Sequence, residues 1–214
     1  MKAPWLPTLA LAASAIAVPS TASAEAPPSR DGGWNTATNV LAVSSLAAGA
    51  LMPRVFFSDP EVTAGWKARW HLSVLAPIMT LTSLALANEV SLKGAFAAPR
   101  PGCQDSGPCD GYGLFSTPAF AASSALGNGV AVFLVDTLKW SSGNVGVGGL
   151  FGEVILPLVL APITIIGRTA GNWESGGQAW SSGGVGLLSG LVTGFVYATL
   201  QRPECGYTGS LVCW

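Results

Sequence analysis

HLSVLAPIMTLTSLALANEVSLKGAFAAPRP, residues 71–101, is the stretch that decides the fold. Its first part, 71–88, is an apolar run without a single Asp, Glu, Lys or Arg. It has no polar face recurring every 3.6 residues, as a helix half-exposed to water would have. A hydrocarbon layer about 30 Å thick needs roughly 20 apolar residues in helical form, and this run approaches that length. Immediately beyond it come Lys93, six residues, and Arg100-Pro101. Cations placed there stand at a membrane surface.

Five further apolar runs lie on either side, at about 4–22, 36–52, 116–136, 146–167 and 181–200. Hydrophobic residues are 50% of the chain and charged residues only 10%, with a mean hydropathy of +0.48. A soluble helical bundle would need far more charge to cover its surface. The sequence therefore predicts an all-α, polytopic transmembrane helix bundle with five to six membrane-spanning helices. No nucleic-acid-binding signature is present, and membrane lipids are the expected partner. No phosphate-cradling glycine loop and no zinc-ligand spacing is present, so neither metal nor cofactor is expected.

The first run has two readings. Lys2, the apolar stretch and Ala22-Ser23-Ala24 form the pattern of a secretory signal peptide, residues 1–24, cleaved before Glu25. Alternatively it is a retained first transmembrane helix. Both put residues 25–35 outside the cytoplasm and leave 25–214 as one membrane domain. The loop with Arg54, Lys67 and Arg69 is then cytoplasmic, because Lys and Arg concentrate on that side. Alternation of the runs carries Lys93, Arg100 and Arg168 to the opposite, outer face of a bacterial-type inner membrane. Cys103 and Cys109 fall in the same outer loop, where an oxidising compartment permits a disulfide. Cys205 and Cys213 fall in a tail that this topology leaves in the cytoplasm.

Lys93-x6-Arg100-Pro101 resembles the first signature of the type 2 phosphatidic acid phosphatase superfamily, the lipid phosphate phosphatases and related acid phosphatases. In that family a Pro-Ser-Gly-His motif opens the fourth helix, and Ser-Arg-x5-His-x3-Asp lies between the fifth and sixth. Residues 116–124 and 167–178 occupy those two places here. The resemblance covers roughly 36–200. It implies that Lys93, Arg100 and Arg168 surround one outward cavity, within about 10 Å of each other, and bind a lipid phosphate. Arg offers phosphate a planar fork of donors and Lys a point charge.

The catalytic positions depart from the pattern. By the resemblance, Phe120 stands where the family has the histidine that protonates the leaving group. Glu174 stands at the nucleophilic histidine, and Gln178 at the aspartate that orients it. Phe120 can move no proton, and such acid catalysis typically contributes 10²–10⁴-fold. Glu174 could in principle form an acyl phosphate, but carboxylates that do so rely on a metal to offset repulsion. A catalytically impaired, phosphatidic acid phosphatase-like membrane protein is thus the leading expectation. An active enzyme using Glu174, or a structural membrane protein with a vestigial site, are the alternatives. In the last of these Arg168 pairs with Glu174 and shuts phosphate out.

Other features have plainer readings. His71, the only histidine, opens a run at the cytoplasmic end. Glu153 lies at membrane depth, where a carboxylate is costly unless protonated or hydrogen-bonded. Asp105 and Asp110 read as turn residues. Gly184, Gly186, Gly190 and Gly194 read as a close-packing face of the last helix.

Overall fold

The computed structural model describes residues 30–51, 72–96, 98–101, 112–140 and 150–200. Among these the chain is all-helical. Helix α1 is Gly32–Leu51. Helix α2 runs over Leu72–Ala87, then through a π-helical turn at Asn88–Leu92 into a last α-turn, Lys93–Phe96. Helix α3, Thr117–Val135, continues into a π-turn at Asp136–Trp140. Helix α4 begins as a π-stretch, Leu150–Ile155, and proceeds as Leu156–Ala170. Helix α5 is Gly176–Leu200. Three of these segments, Thr117–Lys139, Leu150–Ala170 and Gly176–Leu200, are long and apolar enough to cross a membrane.

The distribution of residues is that of a bundle immersed in lipid. Large apolar side chains such as Val43, Leu86, Leu158, Val192 and Phe195 point outward, while the interior holds alanine, glycine, serine and threonine. Lipid tails are as apolar as leucine, so little is gained by turning leucine inward. Helices adhere instead through close backbone approach and interhelical hydrogen bonds. Buried hydroxyls of Thr38, Ser45 and Thr164 donate to carbonyls one turn back, which satisfies them in an apolar interior.

The tightest seam joins α3 to α5. At Gly186, Gly190 and Gly194 a Cβ would collide with the backbone of Phe120, Ser124 and Asn128 respectively. Gly127 stands in the same relation to the backbone of Leu187. The glycine face expected of the last helix is therefore present, with one correction: Gly184 faces open space.

The π-segments have local causes. Pro157 lacks an N–H and crowds the carbonyl four residues back, and the wider turn over Leu150–Ile155 absorbs both effects. The π-turn at Asn88–Leu92 inserts an extra residue before Lys93. One residue corresponds to about 100° of helix rotation, so this insertion decides which way Lys93 faces; the side chain is buried.

Candidate functional site: a guanidinium cluster at one end of the bundle

One end of the bundle collects the start of α1, the end of α2, the start of α3, the end of α4 and the start of α5. Hydrogen bonds stitch these termini together. Asp31 N–H donates to the Gly171 carbonyl, and Gly113 N–H to that of Ala98. Asn88 Nδ2 donates to Phe115 O and Thr117 Oγ1, and Ser116 N–H to Ser182 Oγ at 2.7 Å.

Arg168, in the last turn of α4, is the centre. The chain turns sharply after it, with Asn172 in the left-handed region at φ 57°, a conformation asparagine tolerates. That turn returns Glu174 onto Arg168. Arg168 Nε donates to Glu174 Oε2 at 2.5 Å, and Nη2 donates to Oε1, which makes a bidentate fork. Nη1 donates to Asn35 Oδ1 on α1 at 2.5 Å. The two side chains are 3% and 0% exposed. The internal pair anticipated as an alternative is thus formed; it occupies two nitrogens of the guanidinium, and Asn35 takes the third.

Trp173, in the turn that joins the partners of this pair, gathers three cations. The guanidinium carbons of Arg100, Arg168 and Arg30 lie 5.3, 5.5 and 5.6 Å from its ring centroid. This is the range of cation–π attraction. Its indole N–H donates to the Asp31 carbonyl at 2.8 Å, which fixes the ring. Arg100 Nε donates to Tyr112 O at 3.3 Å. Burial pushes the Arg100 guanidinium below the ordinary arginine value. Glu174 and Glu89 act against that, whereas Arg168 and Arg30 push the same way.

Lys93 sits on the neighbouring wall. Its Nζ is 2.6 Å from Glu89 Oε2, one helical turn earlier, and Thr117 Oγ1 donates to the same oxygen. Burial alone would raise the Glu89 carboxyl. The hydrogen bonds from Lys93 and Thr117, with the charges of Lys93 and Arg100, outweigh it and hold the carboxyl below the usual value.

The structure therefore brings Arg100 and Arg168 to one indole and puts Lys93 next to them through Glu89. It does not bring Phe120 there. The Phe120 ring is buried among Ala42, Ala85 and Ala161. Ala161 precedes Arg168 by seven residues on α4, so these neighbours lie about 10 Å deeper along the axis. A histidine at 120 would sit in an apolar core, away from the cations. Gln178 has a different task from orienting a nucleophile. Ser175 N–H donates to Gln178 Oε1 at 2.9 Å, and Gln178 N–H to Ser175 Oγ at 3.2 Å. This is a reciprocal capping box that opens α5. Gln178 Nε2 also donates to the Pro99 carbonyl at 2.7 Å, which holds the segment carrying Arg100. Ser175→Ala should cost about 1 kcal/mol, the usual worth of such a cap, read as a lower thermal midpoint in detergent.

Cys103, Cys109, Asp105, Asp110 and His71 lie outside the described residues. Glu153 is buried in the π-stretch of α4, and its backbone carbonyl abuts Gly129. No group of three or more metal-ligating side chains occurs among the described residues. An apolar groove of about 660 Å³ lies toward the other end, between α3 and α5, lined by Leu134, Leu191 and Phe195 among others. It offers no chemistry comparable to the cation cluster.

Arg30, Asn35, Glu89, Thr117 and Trp173 were not legible as site residues. The Glu89–Lys93 spacing of four is an ordinary helical ion-pair signal and could have been read. The others depend on tertiary packing. No protein-family model matches the chain, and neither curated proteins nor solved structures gave a match.

Proposed function

We propose that the chain is a membrane-embedded, phosphatidic acid phosphatase-like protein that holds lipid phosphate headgroups at its guanidinium cluster without hydrolysing them. The observation that carries this reading is the bidentate engagement of Glu174 by Arg168. A carboxylate whose two oxygens are both held by a guanidinium has lost the lone-pair freedom that a nucleophile needs. Phe120, at the family's leaving-group acid, is in the core and can move no proton. Anion affinity persists in Arg100, whose terminal nitrogens have no protein partner among the described residues, and in Arg30 beside it. In this reading the bundle has five to six spans and the cluster faces the periplasm or exterior.

The test is phosphate release from phosphatidic acid by the purified protein in lipid nanodiscs. Release should not exceed that of empty nanodiscs. Robust release abolished by Glu174→Gln would overturn the reading in favour of a carboxylate nucleophile. The third bond of Arg168, to Asn35 on α1, also favours a purely structural role, in which the ion pair staples three helix ends. That second reading requires that anionic lipids bind no better than zwitterionic ones.

A further inference from the structure

We infer that the outward face of α1 is a contact surface for a second copy of this chain, packed in parallel across a two-fold axis with Asn39 against Asn39. None of the groups of the cation cluster takes part.

Asn39 is exposed, and its side-chain amide has no hydrogen-bond partner among the described residues. Its depth follows from the packing of α1 on α4. A Cβ on Gly167 would meet the Thr38 methyl and the Trp34 ring, so this part of α1 lies along the last turns of α4. At that level α4, one of the helices apolar enough to cross a membrane, turns Ile163 and Ile166 outward. Asn39 therefore presents a carboxamide on a surface that its neighbour gives to hydrocarbon. An amide left unpaired in such surroundings is costly. A hydrogen bond to another helix removes that cost.

The residues around Asn39 form a helix seam. Gly32, Thr36, Asn39 and Val43 follow one another at spacings of four, three and four, and all are exposed. A mean spacing of about 3.5 lines them up along one edge that can face a parallel partner helix. Val43 and Val40, beside the line, are 67% and 58% exposed. The side chains on the line are small or β-branched, so two backbones can approach closely. Past Val43 the line turns inward, where Leu46 packs against the Ala42 and Phe120 core. Contact is thus confined to the first half of α1, with Asn39 at its centre.

The chemistry of this face selects a second copy as the occupant. A carboxamide carries both donor and acceptor, so two of them related by a two-fold axis satisfy each other. Residues 32–43 include no charged side chain, so no oppositely charged partner is called for. A single Asn in an otherwise uncharged seam fixes the register of a parallel helix pair. The axis then runs along the membrane normal and leaves both cation clusters on the same side.

The test counts subunits of the purified full-length protein in phosphatidylcholine bilayers, by single-molecule photobleaching over a range of protein densities. A monomer–dimer equilibrium is expected. Asn39→Leu should weaken it about tenfold, the worth of one interhelical hydrogen bond, and Asn39→Gln, which keeps the amide, should weaken it less. Both variants should keep the parent's helical circular dichroism, because the amide bonds to no described residue of its own chain. A photoreactive benzoylphenylalanine placed at Val43 should cross-link to a product of twice the chain mass, and one placed at Ile166 should not. Monomers at every density, or dimers indifferent to Asn39→Leu, would overturn the inference. So would equal cross-linking from Ile166, or a Val43 product whose added mass is not that of one chain.

Discussion

Gly190→Leu should abolish the folded bundle, whereas Gly184→Leu, earlier on the same helix, should be neutral. At Gly190 even a Cβ would fall on the Ser124 carbonyl oxygen and close to the Asn128 N–H, so the obstruction is backbone, not a side chain that can swing away. The two helices would have to separate along the whole seam. That separation would also break the approaches at Gly186, Gly194 and Gly127. Overpacking a well-filled interior usually costs 1–3 kcal/mol and occasionally more. Here the backbone approaches are coupled and would open together, so about 3 kcal/mol or more is expected. At Gly184 nothing lies within 4 Å of the added carbon, and the position faces lipid. The check is resistance to unfolding in mixed detergent micelles, followed by circular dichroism. A stable Gly190→Leu protein would mean that α3 and α5 are not joined as described.

That seam was legible in the sequence because spacing alone encodes it: glycines four apart on an apolar helix form one face. The helical class was legible for a similar reason, since run length against membrane thickness needs no knowledge of packing. The shared location of Arg100 and Arg168 followed from counting runs, because alternate runs return to the same side. The π-turn before Lys93 adds a residue that no periodicity reveals, and the second-motif alignment put Phe120 at the site when its ring packs a layer deeper. Thr117, at the mouth of the same helix, is the residue that reaches the cations through Glu89. Arg30 and Asn35 were invisible for another reason. They precede or begin α1, far from the motifs in sequence, and the hydrogen bonds of Asp31 to the Gly171–Trp173 turn, with that of Arg168 to Asn35, bring that segment over the site.

Arg168→Ala should be among the most destabilising single changes at the cluster, and a second substitution should rescue it. Removing the guanidinium leaves Glu174 enclosed with no compensating charge, and breaking a buried pair in this way typically costs 3–5 kcal/mol. Asn35 also loses its donor, which loosens α1 from α4. Glu174→Gln removes the charge but keeps the shape. It leaves the guanidinium with one acceptor oxygen and an amide N–H facing it, so its cost should approach the same range. The double change Arg168→Met with Glu174→Met should recover most of the loss, because well-packed apolar side chains often replace a buried ion pair at little cost. The measurement is a double-mutant cycle on unfolding in mixed micelles. A strong favourable coupling between the two positions is expected. Additive single-mutant effects would mean the pair is open to water, and Glu174 would then regain the freedom that a nucleophile needs. Glu174→His alone should be no more active than the parent. The imidazole would stand against Arg168 with no carboxylate to orient it, since Gln178 is committed to capping α5 and holding Pro99. Restoring hydrolysis by Phe120→His, Glu174→His and Gln178→Asp together should fail as well. The first of these buries a polar ring among alanines, and the last dismantles the cap that positions residue 174 itself.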